Sequence, residues 1–417
     1  MIIDYANDGQ EINRENIIKQ GFQVNEDRDF RRKYNREENT GEKTDEYIYV
    51  LNFVGFLVND KNDVFVVFPK NYKVVEINQD TTQLFKVISQ HIQKRPDLYI
   101  GDQYGKRFKS NYPFSAFFGI YEHFVKYGIY FEDTTYIKPN SGNKVNWKQT
   151  IQLSNKYISN KKLSFFPIYY NNKQYESAFL TDCMIFAIDY TLNKFSMFIE
   201  LDKTGKGFPE VDLISGKDEV LEKLYSLRSH TFKDYMIELI DNLIYFFEQL
   251  NEGGTYYFKH YSFASIWEDM VMDYLKIEFK EVKDDKLIFD RSASKNIKFI
   301  KPSFRPNIAN REQYISPDYY YGEGDTQLIF DAKYYTNIHG IDYKQIVYYL
   351  FLNVYREKLD EKPKFAKTYA ALLLPSETRS SKIHFKMDPQ FNKTNKDLVI
   401  SEEYLDIREV INVYLSN

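Results

Sequence analysis

Two apolar runs, Tyr47 to Leu57 and Val64 to Phe68, flank the polar cluster Asn59-Asp60-Lys61-Asn62-Asp63. Strand-like runs around an Asn/Asp cluster predict a β-hairpin, and Val74-Val75-Glu76-Ile77 predicts a further short strand. From Thr82 the period changes. Leu84, Val87, Ile88 and Ile92 fall on one helical face, and Pro96 stops that helix. A second helix is expected from Phe114 to Tyr127, ended near Gly128. The stretch Asn140-Ser141-Gly142-Asn143 reads as a loop, followed by short elements over 147–155 and 163–170. Thr181 to Tyr190 reads as helical, and Gly205 to Pro209 as a break. Two more helices are expected, over 217–227 and 231–250, ahead of Gly253-Gly254.

Beyond that double glycine, helix and strand signals alternate. A helix over 262–276 precedes short apolar runs at 287–289, 297–300 and 328–330. A helix over 341–358 follows, and Thr368 to Leu374 is a continuous apolar run closed by Pro375, as a buried strand would be. The segment Glu11 to Glu46 is dense in mixed charge and predicts exposed turns or a mobile arm. Together these elements predict an α+β multidomain chain. Residues 1–80 would be a β-rich module, 81–250 a mixed, largely helical region for partner docking or DNA reading, and 251–417 a compact α/β domain.

Composition narrows the function. The chain has 417 residues, 43% hydrophobic and 28% charged, which is a soluble globular make-up. A net charge of −4 means that any nucleic-acid contact must use a local patch or a partner's charge. A single cysteine, Cys183, allows no internal disulfide framework and no cysteine-based zinc knuckle, and the six histidines show no zinc-ligand spacing. With neither a leader-like N-terminus nor a membrane-spanning apolar stretch, the expected location is the cytoplasm.

Candidate chemistry gathers around Ser316-Pro317-Asp318 and Leu328-Ile329-Phe330-Asp331-Ala332-Lys333. An aspartate lies 13 residues before a D-x-K tripeptide that comes directly off an apolar run. In a strand, residues i and i+2 share a face, so Asp331 and Lys333 project together. Asp318 can meet them across the Gly322–Gly324 turn. Two carboxylates at one point repel unless a cation joins them, and Mg²⁺ takes oxygen ligands. Such a cation lowers the pKa of bound water, while Lys333 can hold or activate that water or stabilise phosphoryl charge. Read locally, the pattern fits a solvated strand end equally well. Glu268, on an amphipathic run, can aim at the same point or simply face solvent. Gln345 can bond a substrate phosphate or an active-site group, or be a plain polar helix position.

The ordered set Glu268, Pro317-Asp318, Asp331-Ala332-Lys333-Tyr334-Tyr335, Lys344-Gln345 and Tyr348 resembles the PD-(D/E)XK nuclease core. Its D-A-K-Y-Y then K-Q-x-x-Y form is similar to McrC, the nuclease subunit of McrBC-type systems, and in particular to the LlaJI restriction endonuclease family. Looser echoes lie at Val54-Gly-Phe-Leu, Phe68-Pro-Lys70, Ser110-Asn-Tyr-Pro-Phe-Ser115 and Asn146-Trp-Lys-Gln-Thr150-Ile. One departure is that Arg305-Pro306 precedes Asn307, and the Pro-Asp pair comes later.

The resemblance implies a restriction endonuclease subunit that cuts double-stranded DNA with Mg²⁺, Mn²⁺ being able to substitute. Glu268, Asp318 and Asp331 would bind the metal, Lys333 would serve the water, and Gln345 would support. The implied partners are a McrB-like AAA+ GTPase and the DNA methyltransferases of the same system, in defence against foreign DNA. The chain has no phosphate-binding loop of its own, since Gly216-Lys217 is followed by Asp218. Between Lys276 and Arg305, basic residues exceed acidic ones by four. Lys295, Lys298, Lys301 and Arg305 are therefore candidates for tracking DNA phosphates, or else for guarding a strand edge. The alternative readings are a non-catalytic DNA- or partner-binding protein on a nuclease-like scaffold, and a nuclease of repair or RNA processing.

Overall fold

The computed structural model describes residues 3–36, 43–95, 107–130, 132–141, 144–159, 162–176, 179–207, 213–250, 254–293, 297–355 and 365–416. They are mixed α and β, with several separate sheets. The chain divides into two compact units, one of residues 1–112 with 251–417, the other of residues 113–250.

In the first unit, one five-stranded sheet runs in the order Ile3–Asn7, Val64–Phe68, Val54–Val58, Tyr256–His260, Phe108–Ser110. The expected hairpin forms, with Val54–Val58 antiparallel to Val64–Phe68. Tyr256–His260, nearly 200 residues further along, pairs with its other edge. Gly55 sits at that seam with φ +146°, where a Cβ would lie 1.9 Å from the Phe258 carbonyl oxygen. No other residue type fits there. The expected boundary at 80/81 falls inside the helix Ile77–Lys94, and the modules expected over 1–80 and 251–417 share this sheet.

Two N-terminal expectations are corrected. The charged stretch Glu11 to Glu46 is not simply exposed: Ile17, Phe22 and Phe30 join a buried cluster with Leu57 and Phe65. Asp29 is buried against Lys259 Nζ at 2.6 Å and the Tyr261 hydroxyl at 2.7 Å. Residues 74–77 form no strand, because Glu76 caps the helix Ile77–Lys94 by accepting from the N–H groups of Asn78 and Gln79.

The second sheet of this unit runs Tyr319–Glu323, Thr326–Ala332, Lys367–Ser376, Val399–Asp406, Ser380–Lys386. Its three central strands are parallel, and both edges are antiparallel. The helix Tyr343–Leu352 covers one face, where Tyr349 packs with Ala370, Leu372 and Leu374, and Tyr348 with Ile329. Phe330 turns to the other face and meets Phe279 and Phe299. The helix Phe263–Glu278 is anchored by Trp267, whose Nε1 donates to the Leu373 carbonyl at 3.2 Å. Among the described residues the run at 297–300 makes only a bridge, Ile300 to Tyr320. The expected helix over 341–358 is regular from Tyr343 to Leu352, and residues 356–358 lie outside the described residues.

The second unit is led by four helices, Phe114–Tyr127, Phe179–Lys194, Lys217–His230 and Asp234–Gln249, with short two- and three-stranded sheets. Its first helix ends at Gly128, φ +75°, as expected. Among the described residues no helix is long and apolar enough to cross a membrane.

Candidate active site

The strand Thr326–Ala332 positions the first pair of groups. Ile329 faces the helix Tyr343–Leu352, and Asp331, two residues on, faces the same way. The Lys333 N–H donates to the Leu373 carbonyl at 2.9 Å, so the ladder continues past the end of the strand. Lys333 Nζ lies 2.8 Å from Asp331 Oδ2. The antiparallel register ends at Tyr319 opposite Phe330. Asp318, one residue earlier, thereby comes beside Asp331, and its Oδ2 accepts from the Ala332 N–H at 3.0 Å. Glu268 approaches from the helix Phe263–Glu278, whose backbone carbonyl at that residue accepts from the Tyr319 hydroxyl at 2.7 Å.

Three lysines neutralise these carboxylates. Lys301 bridges Glu268 Oε1 and Asp318 Oδ1, the latter at 2.9 Å. Lys344 meets Asp331 Oδ1 at 3.1 Å. Lys333 also meets Asp342 Oδ2 at 2.9 Å. Asp331 is 1% exposed. Burial, and then the neighbouring Asp318 charge, push its carboxyl above the usual aspartate range despite Lys333 and Lys344. Burial works against the charge of Lys333, but Asp331 and Asp342 outweigh it and hold its ammonium above the usual lysine value. In this arrangement Lys333 is a charged hydrogen-bond donor to both aspartates.

Asp342 also caps the helix Tyr343–Leu352, its Oδ1 accepting from the Gln345 N–H at 2.8 Å. A cap of this kind stabilises a helix by about 1 kcal/mol. Gln345 itself is fully buried, and its Nε2 donates to the Ile329 carbonyl at 2.6 Å. It ties the helix to the Asp331 strand, and no phosphate can reach it there without rearrangement.

Of the four candidate DNA contacts, Lys301 belongs to the carboxylate cluster. Lys298 is exposed, Arg305 donates to the Arg311 carbonyl, and Lys295 lies outside the described residues. Tyr319, Tyr320, Tyr348 and Tyr349 are buried packing groups, whereas Tyr335 is exposed.

No family model and no curated protein matches this chain. Among solved structures it is similar to the half-complex refined from a tetradecameric assembly of Thermococcus gammatolerans McrB AAA+ hexamers with bound McrC. The identity is 14% and the TM-score 0.40, over 99% of this chain and 98% of that one. It is also similar to the cryo-EM structure of the Thermococcus gammatolerans McrBC complex, at 11% identity and a TM-score of 0.26, over 64% of this chain and 84% of that one. A likeness at that level assigns no chemistry.

The donor set nonetheless fits a hard divalent cation. Glu268, Asp318 and Asp331 offer only carboxylate oxygens, which suit Mg²⁺ and Mn²⁺. Among the described residues no three acidic, imidazole or thiol side chains already converge on one point. The positive charge between Glu268 and Asp318 is the Lys301 ammonium, standing where a cation has its partners. The spacing of the motif pointed to Asp318, Asp331 and Lys333 but not to Lys301, which is 17 residues from Asp318 and 33 from Glu268. Asp342 was legible only as a D-x-x-Q helix start.

Proposed function

We propose that this chain is the nuclease subunit of a restriction system, hydrolysing DNA phosphodiester bonds with a divalent metal on a PD-(D/E)XK-type domain. The observation that carries this reading is Asp318 held beside Asp331 with a charged Lys333 on the same strand end. Asp318 and Asp331 would hold the cation, with Glu268 joining them once Lys301 gives way. A bound Mg²⁺ would supply charge neutralisation at a phosphoryl oxygen and a more acidic bound water. Lys333 then donates to the attacking water or to the oxygen on which charge develops. Lys344 keeps the second oxygen of Asp331 neutralised. The resemblance to McrC adds a McrB-like AAA+ GTPase as the partner that finds DNA, and the methyltransferases of the same system as companions.

The test is Mg²⁺-dependent cleavage of double-stranded DNA by the wild type and by Lys333→Ala, each with and without the neighbouring AAA+ protein and GTP. The wild type is expected to cut, and the variant to lose roughly 10²–10³-fold in kcat, as loss of one charged donor does. A variant that cuts as well as the wild type moves the site elsewhere. Binding of DNA without cutting, in the full mixture, favours the non-catalytic scaffold.

A further inference from the structure

Behind Lys333, a line of polar groups runs away from the carboxylates. Asp342 holds Lys333 Nζ at 2.9 Å. The Asp342 backbone N–H meets His384 Nε2 at 3.0 Å. His384 Nδ1 lies 2.7 Å from Glu402 Oε1. Glu402 also takes Lys382 at 3.1 Å and the Tyr404 hydroxyl. The side chains of His384 and Glu402 are 4% and 3% exposed. They sit on the paired strands Ser380–Lys386 and Val399–Asp406.

The proton on His384 has one consistent position. A backbone N–H only donates, so Nε2 must offer its lone pair, and the ring proton sits on Nδ1 and goes to Glu402. Burial opposes the charge of Glu402, but bonds from Tyr404, His384 and Lys382 outweigh it and hold its carboxyl below the usual glutamate range. The ring is thus fixed at both nitrogens. It in turn fixes the N-terminal turn of the helix Tyr343–Leu352, where Asp342 is already committed through Oδ1 to its cap.

Lys333 has two carboxylate partners, Asp331 and Asp342. A cation drawn to Asp331 competes for the first, which leaves Asp342 to hold the ammonium in place. We propose that His384 is a positioning residue for Lys333, oriented by Glu402 and acting through Asp342. This rests on the nuclease reading only for its effect on turnover. The link from His384 to Lys333 stands on geometry alone.

The experiment compares wild type, His384→Leu, His384→Gln and Glu402→Gln in two assays. The first is trace acetylation of lysines in metal-free protein, read by mass spectrometry. The second is Mg²⁺-dependent DNA cleavage with the full set of partners, resolved into kcat and KM. In His384→Leu, Lys333 should label at least about threefold faster, with Lys259 unchanged as the internal control. Its kcat should fall at least roughly tenfold with little change in KM, as loss of an orienting partner does. His384→Gln, whose side-chain oxygen can accept from the Asp342 N–H, should restore most of both. Should His384→Leu fail to fold, Glu402→Gln, which removes the charge that orients the ring, is expected to move both readouts in the same direction. The proposal falls if Lys333 labelling is the same in all folded variants, or if glutamine and leucine behave alike. Altered labelling in the variants, alongside a wild type that never cuts, would keep the positioning link and sink the nuclease reading. Unaltered labelling in an enzyme that does cut would do the reverse.

Discussion

Lys301 donates to Asp318 Oδ1 at 2.9 Å, and the same ammonium reaches the Glu268 carboxylate, so one tethered cation spans two of the three proposed metal ligands. Its side chain is nearly half exposed, and it remains charged because those carboxylates outweigh the cost of its partial burial. A divalent cation entering the cluster must displace it.

Lys301→Met should therefore bind Mn²⁺ more tightly than the wild type. A partly exposed ion pair contributes ~0.5–1 kcal/mol, so the gain is about two- to fivefold in Kd. Isothermal titration calorimetry without DNA measures it directly. Weaker Mn²⁺ binding in the variant would mean that Lys301 holds the ligands in register instead of competing for them.

Gln345→Leu should cost stability and leave DNA affinity alone. The substitution removes the donor to Ile329 O, an interaction that when lost in a core costs about 1–3 kcal/mol. Among the described residues the Gln345 Oε1 has no hydrogen-bond partner, so removing that buried acceptor offsets part of the loss. The expected net effect is a drop of roughly 2–4 °C in Tm, read by calorimetry. A selective loss of DNA binding with unchanged Tm would return Gln345 to the phosphate contacts.

Glu403→Gln should raise the melting temperature at neutral pH. Glu403 is buried, and burial pushes its carboxyl above the usual glutamate value of 4.5 despite bonds from Ser381 and the Leu287 N–H. A folded-state pKa above the unfolded one gives stability that is present below pH 4.5 and lost as pH rises through the folded value. The glutamine variant avoids that loss. Its advantage should thus appear on the neutral side and close as the pH falls towards 4.5. Melting curves across pH 4–8 check this, and an advantage that grows in acid would reverse the assigned direction.

Much of this arrangement was legible in the sequence. The period-2 relation puts Asp331 and Lys333 on one face, and the apolar run before them is the strand that the structure contains. The helices expected over 114–127, 217–227 and 231–250 follow from their spacing, the first with its glycine stop. What stayed hidden was buried charge. The strand Val399–Asp406 carries Glu402 and Glu403 side by side, both almost fully buried, so it does not read as a core strand. His384, Ser381 and the Leu287 N–H, which make that burial tolerable, lie 18, 22 and 116 residues from the glutamates they meet. Asp29 is concealed for the same reason, since nothing local indicates that Lys259, 230 residues on, will neutralise it. Lys301 illustrates the converse. Its charge was visible, but charge alone does not distinguish a phosphate contact from a carboxylate clamp.

The seam between Val54–Val58 and Tyr256–His260 also sets a timetable. At about 5–20 residues per second, a ribosome needs roughly 10–40 s to make the chain between these two strands. Until then the Val54–Val58 edge, buried in the finished fold, has no partner on that side. All of residues 113–250 emerge during that interval. An open apolar strand edge invites pairing with another chain, so this sheet stays exposed to aggregation during synthesis until Tyr256–His260 has been made.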